Sequence, residues 1–208
     1  MKLASTSFLE FSYPVMEHFY TIQGEGAHAG KAAYFIRIGG CNVGCPWCDV
    51  KESWEAEDHP NTSVAQILEW LQDSDATNVV ITGGEPTMYD LNPICTVLKK
   101  AGYQLWLETS GAYPISGMWD WIVLSPKRRK MPLDENYPLA DELKQVIVRL
   151  PDFDLALAES EKMNEHARLF MQPEWSREEE VLPAIINFVK KNPRWQISLQ
   201  THKYMQIP

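Results

Sequence analysis

The chain has 208 residues, 45% hydrophobic and 23% charged, enough for one ordinary globular core, which excludes a collagen, a disordered tail and a disulfide-stapled mini-protein. With 28 acidic residues against 19 basic its formal charge is −9, which argues against broad capture of a nucleic acid or an anionic membrane. A small ligand is the better expectation.

At the start, Met1 to Val15 is broken by Lys2, Ser5, Thr6, Ser7 and Glu10. It offers neither the apolar stretch nor the cleavage site of a secretion signal. Later apolar runs such as Val146 to Val148 and Leu182 to Ile186 fall far short of the roughly 20 residues a bilayer crossing needs. A cytoplasmic location is therefore expected.

Short β-branched runs, each closed by glycine, proline or small polar residues, alternate with helical patterns. They predict strands at Ala33–Ile38, Asn78–Thr82, Tyr103–Glu108, Trp121–Leu124, Gln145–Arg149, Arg168–Met171 and Trp195–Gln200. Helices are predicted from Ser63 to Leu71, with a capping pair at Ser63 and Gln66, near Asn92 to Leu98, and from Ser176 to Lys191, capped by Ser176 and Glu179. Pro183 falls where it would kink the last of these. The alternation is that of a single α/β domain over residues 1–208 built on mainly parallel strands. A full eightfold barrel takes about 250 residues, so an incomplete, TIM-like barrel is expected.

In such folds ligands bind beyond the carboxyl ends of the strands. Those junctions are polar: Gly39-Gly40-Cys41, Gly83-Gly84-Glu85-Pro86, Thr109-Ser110-Gly111, Ser125-Pro126-Lys127, Gln172-Pro173 and Thr201-His202-Lys203.

Three of the four cysteines, Cys41, Cys45 and Cys48, lie within eight residues; Cys95 stands apart and reads as a buried helix thiol. A reducing compartment makes the cluster a metal site rather than a disulfide framework. Structural zinc needs four ligands, and the fourth has no local candidate. A [4Fe–4S] cube held by three thiolates leaves one iron open to a small molecule. Both readings stand on spacing alone.

Read together with Gly83-Gly84-Glu85-Pro86, the sulfur spacing resembles the radical S-adenosylmethionine superfamily. Phe19-Tyr20-Thr21-Ile22-Gln23-Gly24-Glu25-Gly26, Arg37, Trp47-Cys48-Asp49 and the run Gln200 to Pro208 narrow the resemblance to the 7-carboxy-7-deazaguanine synthase family. That resemblance implies a [4Fe–4S] cluster on Cys41, Cys45 and Cys48, and S-adenosylmethionine cleaved to a 5′-deoxyadenosyl radical. It further implies ring contraction of 6-carboxy-5,6,7,8-tetrahydropterin to 7-carboxy-7-deazaguanine with loss of ammonia. It assigns S-adenosylmethionine to Trp47, Cys48, Asp49, Gly84, Glu85, Ser125, Pro126, Lys127, Gln172, Pro173, Glu174 and Trp175. To the pterin it assigns Ile22, Gln23, Gly24, Glu25, Arg37, Thr82, His202 and Pro208, the last through a terminal carboxylate. A flavodoxin- or ferredoxin-type electron donor and a homodimer are implied as well, while no residue announces itself as a proton carrier.

One position departs from the family pattern. A hydroxyl residue that ligates Mg²⁺ is expected directly after Cys48-Asp49, and Val50 stands there without an oxygen to offer. Either substrate, water and Asp49 hold Mg²⁺, or the protein works without it. Arg128, Arg129 and Lys130 read as a solvated basic loop. The rival readings are another radical enzyme, such as a glycyl-radical activase, and a zinc-binding interaction module.

Overall fold

The computed structural model of the protein describes residues 3–208. Helix α1 (Leu3–Glu10) leads into β1 (Ser12–Ile22), which pairs antiparallel with β2 (Ala32–Ile38). The short β3 (Asn61–Ser63) adds antiparallel to the start of β1 and runs into α2 (Val64–Gln72). From β2 onward every pairing is parallel, through β4 (Asn78–Gly83), β5 (Gln104–Thr109), β6 (Trp121–Leu124), β7 (Glu142–Ile147), β8 (Arg168–Pro173) and β9 (Trp195–Ile197). Helices α3 (Asn92–Lys100), α4 (Asp152–Ser160) and α5 (Glu178–Lys191) follow β4, β7 and β8, and α6 (Thr201–Met205) follows β9. The result is one nine-stranded sheet, β3-β1-β2-β4-β5-β6-β7-β8-β9, an α/β partial barrel as expected.

All seven predicted strands are present, with β7 starting three residues before the predicted Gln145 and β9 ending at Ile197. Elements α1, β1, β3, α4 and α6 lie outside the sequence-based expectation. In β1 the alternation is obscured by Pro14 and by a bulge between Val15 and Glu17, which shifts the side-chain phase. Caps also differ. Ser63 does accept from the Gln66 N–H at 3.2 Å, but the Gln66 side chain goes to Glu69. For α3 it is Asp90 whose carboxylate receives the Asn92 N–H, at 3.0 Å. Ser176 sits in a 3-10 turn capped by Glu174, and α5 begins only at Glu178, with Pro183 inside it.

Each strand sorts its residues by alternation. One face, with Tyr34, Ile36, Val79, Ile81, Leu105, Leu107, Ile122, Leu124, Leu143 and Leu169, packs on the helices as the main core. The other lines the barrel interior. There Ala33, Val80 and Trp106 form a small apolar cluster near the strand starts, and two residues or more further along the same strands stand Arg37, Thr82 and Glu108. No helix among the described residues is long and apolar enough to cross a membrane.

Candidate active site

The ends of β2 and β4 meet backbone to backbone. The Gly84 N–H donates to the Ile38 carbonyl and the Glu85 N–H to the Gly40 carbonyl, both at 2.9 Å. A Cβ on Gly83 would lie 2.0 Å from the Ile38 oxygen, and one on Gly84 2.4 Å from the Gly40 oxygen, so only glycine permits this seam. It holds the Gly-Gly-Glu-Pro turn against the start of the cysteine loop. The loop then curls through Gly44 at φ 66, and the Cys48 N–H closes a turn on the Cys45 carbonyl at 3.1 Å.

Cys41, Cys45 and Cys48 are free and half-buried, and all three line one cavity of about 270 Å³. Burial pushes the Cys41 and Cys45 thiols up, with Lys127 opposing it at Cys45. Among the described residues no three His, Cys, Asp or Glu side chains close on one point as a single metal ion requires. A cubane offers a separate iron to each thiolate, so three thiols that line one cavity without converging suit it better than mononuclear zinc, which needs its ligands gathered on one point.

Facing them is an ionic wall. Lys144 of β7, with a side chain 5% exposed, donates to Glu25 at 2.6 Å and to Glu108 of β5 at 2.8 Å. Gln200 donates to the other Glu25 oxygen at 2.8 Å, and Gln23 reaches Glu108 at 3.4 Å. Burial would raise Glu25, but the Lys144 charge and the hydrogen bonds from Lys144 and Gln200 hold it at about 2. Burial pushes Glu108 up to about 7, helped by the charges of Glu25 and Glu142 and resisted by Lys144. Between two carboxylates Lys144 is held firmly protonated despite its burial.

Arg37 stands at the same strand level, in register with Thr82 of β4. Glu17 takes its Nε at 2.7 Å, which aims the rest of the guanidinium and leaves that end of the fork available to a carboxylate. The C-terminal segment closes the site from above. Thr201 donates to the Gly24 carbonyl through its N–H at 3.0 Å and its hydroxyl at 2.9 Å. His202 lies so close that a Cβ on Gly24 would be 2.2 Å from its Nδ1. Pro208 returns to β1, where its carbonyl oxygen accepts from Thr21 at 3.3 Å.

Along the opposite rim, Lys127 donates to Ser125 at 2.6 Å and lies over the Trp47 ring. Lys203 joins Asp49 at 3.2 Å and lies over Trp175. Gln172 accepts from Ser198 at 2.7 Å. The Glu85 carboxylate is already crowded by donors from Thr87, Thr109 and Ser110, so a ligand amine would have to share it.

Every residue the sequence analysis assigned to a ligand lines this cavity except Pro126, which is buried between Ser125 and Lys127. Val50 lines it too. Glu108, Lys144 and Gln200 were missed as site residues. For Lys144 a signal was present: Glu142 and Lys144 alternate with Leu143, Val146 and Ile147 in one apolar run, and the strand they form is buried throughout, where charges need partners.

A family model for the radical SAM superfamily matches residues 35–122, which contain both the cysteine loop and the Gly-Gly-Glu-Pro turn. Over 195 residues the chain is 53% identical to the 7-carboxy-7-deazaguanine synthase of Flavobacterium psychrophilum, covering 94% of this chain and 92% of that one. This chain belongs to the 7-carboxy-7-deazaguanine synthase family. The Escherichia coli K12 member is 33% identical over 225 residues, covering 94% and 99%. The crystal structure of QueE from Escherichia coli superimposes with a TM-score of 0.84 at 29% identity, covering 96% of this chain and 99% of that one. Membership makes the protein a radical S-adenosylmethionine enzyme, with a [4Fe–4S] cluster, S-adenosylmethionine, a small-molecule substrate and a reductant.

Proposed function

We propose that the chain converts 6-carboxy-5,6,7,8-tetrahydropterin to 7-carboxy-7-deazaguanine and ammonia, a lyase step toward queuosine and related 7-deazapurines. The observation that carries this reading is the opposition of a thiol wall and an ionic wall across one small cavity. Cys41, Cys45 and Cys48 would hold the cluster, which together with S-adenosylmethionine supplies a 5′-deoxyadenosyl radical when both are bound. Trp47, Asp49, Gly84, Glu85, Ser125, Pro126, Lys127, Gln172, Pro173, Glu174 and Trp175 are proposed for S-adenosylmethionine.

On the other side, a pterin edge presents N–H donors and its substituent is a carboxylate. The ionised Glu25 and the Gln23 side chain offer acceptors for the ring. Arg37 offers the unpaired end of its guanidinium for the carboxylate. Ile22, Gly24, Thr82, His202 and Pro208 complete the substrate contacts, and Lys144 keeps Glu25 charged and in place. With the C-terminal segment packed over it, the cavity suits a bicyclic small molecule better than the polypeptide loop that a glycyl-radical activase must admit. If Mg²⁺ is used, Asp49 together with substrate and water would hold it, because Val50 contributes no oxygen.

One cytoplasmic domain over the whole chain, acting as a homodimer and reduced by a flavodoxin- or ferredoxin-type protein, completes the proposal. The test is anaerobic incubation of cluster-reconstituted protein with reductant, S-adenosylmethionine and the tetrahydropterin, followed by mass analysis. A product lighter by one ammonia is expected. Cleavage of S-adenosylmethionine with the pterin recovered unchanged would refute the assigned reaction.

A further inference from the structure

The two proposed ligand sites share one buried hydroxyl. Ser198 directly follows β9, and its N–H donates to the Met171 carbonyl at 3.0 Å, which continues the parallel pairing and sets its side chain beside Gln172 of β8. The Ser198 hydroxyl accepts from the Gly26 N–H at 2.9 Å and donates to the Gln172 Oε1 at 2.7 Å. That N–H belongs to the peptide unit shared with Glu25, the carboxylate proposed for the pterin ring, whereas Gln172 is proposed for S-adenosylmethionine. Ser198 itself is 3% exposed and does not line the cavity, so it stands behind both sites. Glu142 receives the next N–H, that of Ala27, at 3.0 Å and fills the space beside Gly26, where a Cβ would lie 2.1 Å from its Oε1. Two buried side chains thus pin the segment behind Glu25, and of these only Ser198 also bonds a residue of the S-adenosylmethionine wall.

We propose that Ser198 is a positioning residue that couples the two ligands, so that each binds more tightly when the other is present. The inference rests on the assignment of Glu25 to the pterin and Gln172 to S-adenosylmethionine, and adds how one site senses the other. The Gly26 N–H can only donate, so the single hydroxyl proton goes to the Gln172 Oε1 and leaves the Gln172 NH₂ for a ligand. A bond accepted by the hydroxyl strengthens the bond it donates, because each polarises the same oxygen. A pterin that fixes the Glu25 peptide therefore holds the Gln172 carboxamide more firmly for S-adenosylmethionine. Thermodynamic linkage requires the reverse effect by the same factor.

The test is isothermal titration of the full-length, cluster-loaded protein under anaerobic conditions without reductant, so that S-adenosylmethionine is bound and not cleaved. Each ligand is titrated with the other first absent and then saturating. In the parent protein 6-carboxytetrahydropterin should tighten S-adenosylmethionine about tenfold, and S-adenosylmethionine should tighten the pterin by the same factor. Ser198→Ala should lower both factors about fivefold, while Ser198→Thr, which keeps the hydroxyl, should retain them. Weakening of both ligands by Ser198→Ala with the coupling factor intact would reduce Ser198 to a structural prop and overturn the proposal. So would a factor of one in the parent, a result that needs no variant. A pterin that fails to bind the parent at all would refute the reaction proposed above, whereas a pterin that binds without coupling would refute this inference alone.

Discussion

The two ends of the barrel interior are built from the same strands by opposite means. Near the strand starts Ala33, Val80 and Trp106 pack as an apolar plug, with the His28 ring stacked on Trp106 at a centroid distance of 4.0 Å. At the far end Arg37, Thr82, Glu108 and Lys144 replace them. The plug is stabilised by burial, which has no direction, and His28 on its rim is the group there that burial shifts, down to about 4. Lys144 and its two glutamates lie equally deep but depend on charge and geometry, so the site end can be undone by a single atom or by a proton.

The largest difference between the ends should appear at the thiols. Cys41→Ala, Cys45→Ala or Cys48→Ala should each abolish product formation and leave the far-ultraviolet circular dichroism unchanged, because none of the three contributes to the main core. Iron and sulfide analysis after reconstitution checks whether the loss tracks the cluster.

Next come Lys144→Met and Trp106→Ala. Each should cost about 3–5 kcal/mol at neutral pH, the first by leaving Glu25 and Glu108 unpaired, the second by opening a cavity. Acidification separates them: with Lys144 gone both carboxylates can take up protons, so the Lys144→Met loss should shrink strongly, while the Trp106→Ala loss should change only as far as His28, held at about 4 beside Trp106, regains its ordinary titration. Urea midpoints at pH 7 and pH 4 give the comparison, and parallel behaviour of the two variants would remove the distinction drawn between the ends.

Glu108→Gln sharpens the same contrast. The folded-state value of Glu108 is raised to about 7, above the ordinary unfolded value of about 4.3. Its favourable contribution is therefore present in full below about pH 4.3 and is lost as pH rises through about 7. Relative to Glu108→Gln, the parent protein should lose stability across that window. Glu25 has the opposite sign: its value is held at about 2, so its contribution is present above about pH 4.3 and is lost as pH falls toward 2. A flat difference between parent and Glu108→Gln from pH 4 to pH 8 would contradict the assignment.

Gly24→Ala should have a smaller global effect, about 1–3 kcal/mol, because its Cβ would meet both the ring and the backbone N of His202. The substrate KM should rise more than that of S-adenosylmethionine. Smallest is Glu17→Gln. Glu17 is 43% exposed, so stability should change by no more than about 1 kcal/mol, while pterin affinity should fall several-fold as Arg37 loses its orientation. Isothermal titration with the pterin measures it.

Local sequence determined the parallel strands, the glycine junctions and the thiol spacing. Period-2 alternation, a Gly-Gly-Glu-Pro run after β4 and three sulfurs on one loop are properties of neighbours in the chain, so they can be read without the fold, whereas the lack of Cβ room at Gly83 and Gly84 comes from Ile38 and Gly40 across the seam. The family resemblance carried by those motifs proved sound, and with it came most of the cavity-lining residues, though not Glu108, Lys144 or Gln200. Strand β1 escaped because Pro14 and a bulge blur its pattern.

Only the tertiary structure decided that Glu25, Glu108 and Lys144 are one unit, since they come from three elements separated by 83 and 36 positions. It also decided that Arg129 and Lys130 brace the cysteine loop at Gly44 and Asn42, where the sequence alone read a solvated basic run. Charge pairing depends on distance through space, which the chain sets only when the sheet forms. A lysine in sequence shows that a charge is present and says nothing of which carboxylate it will meet.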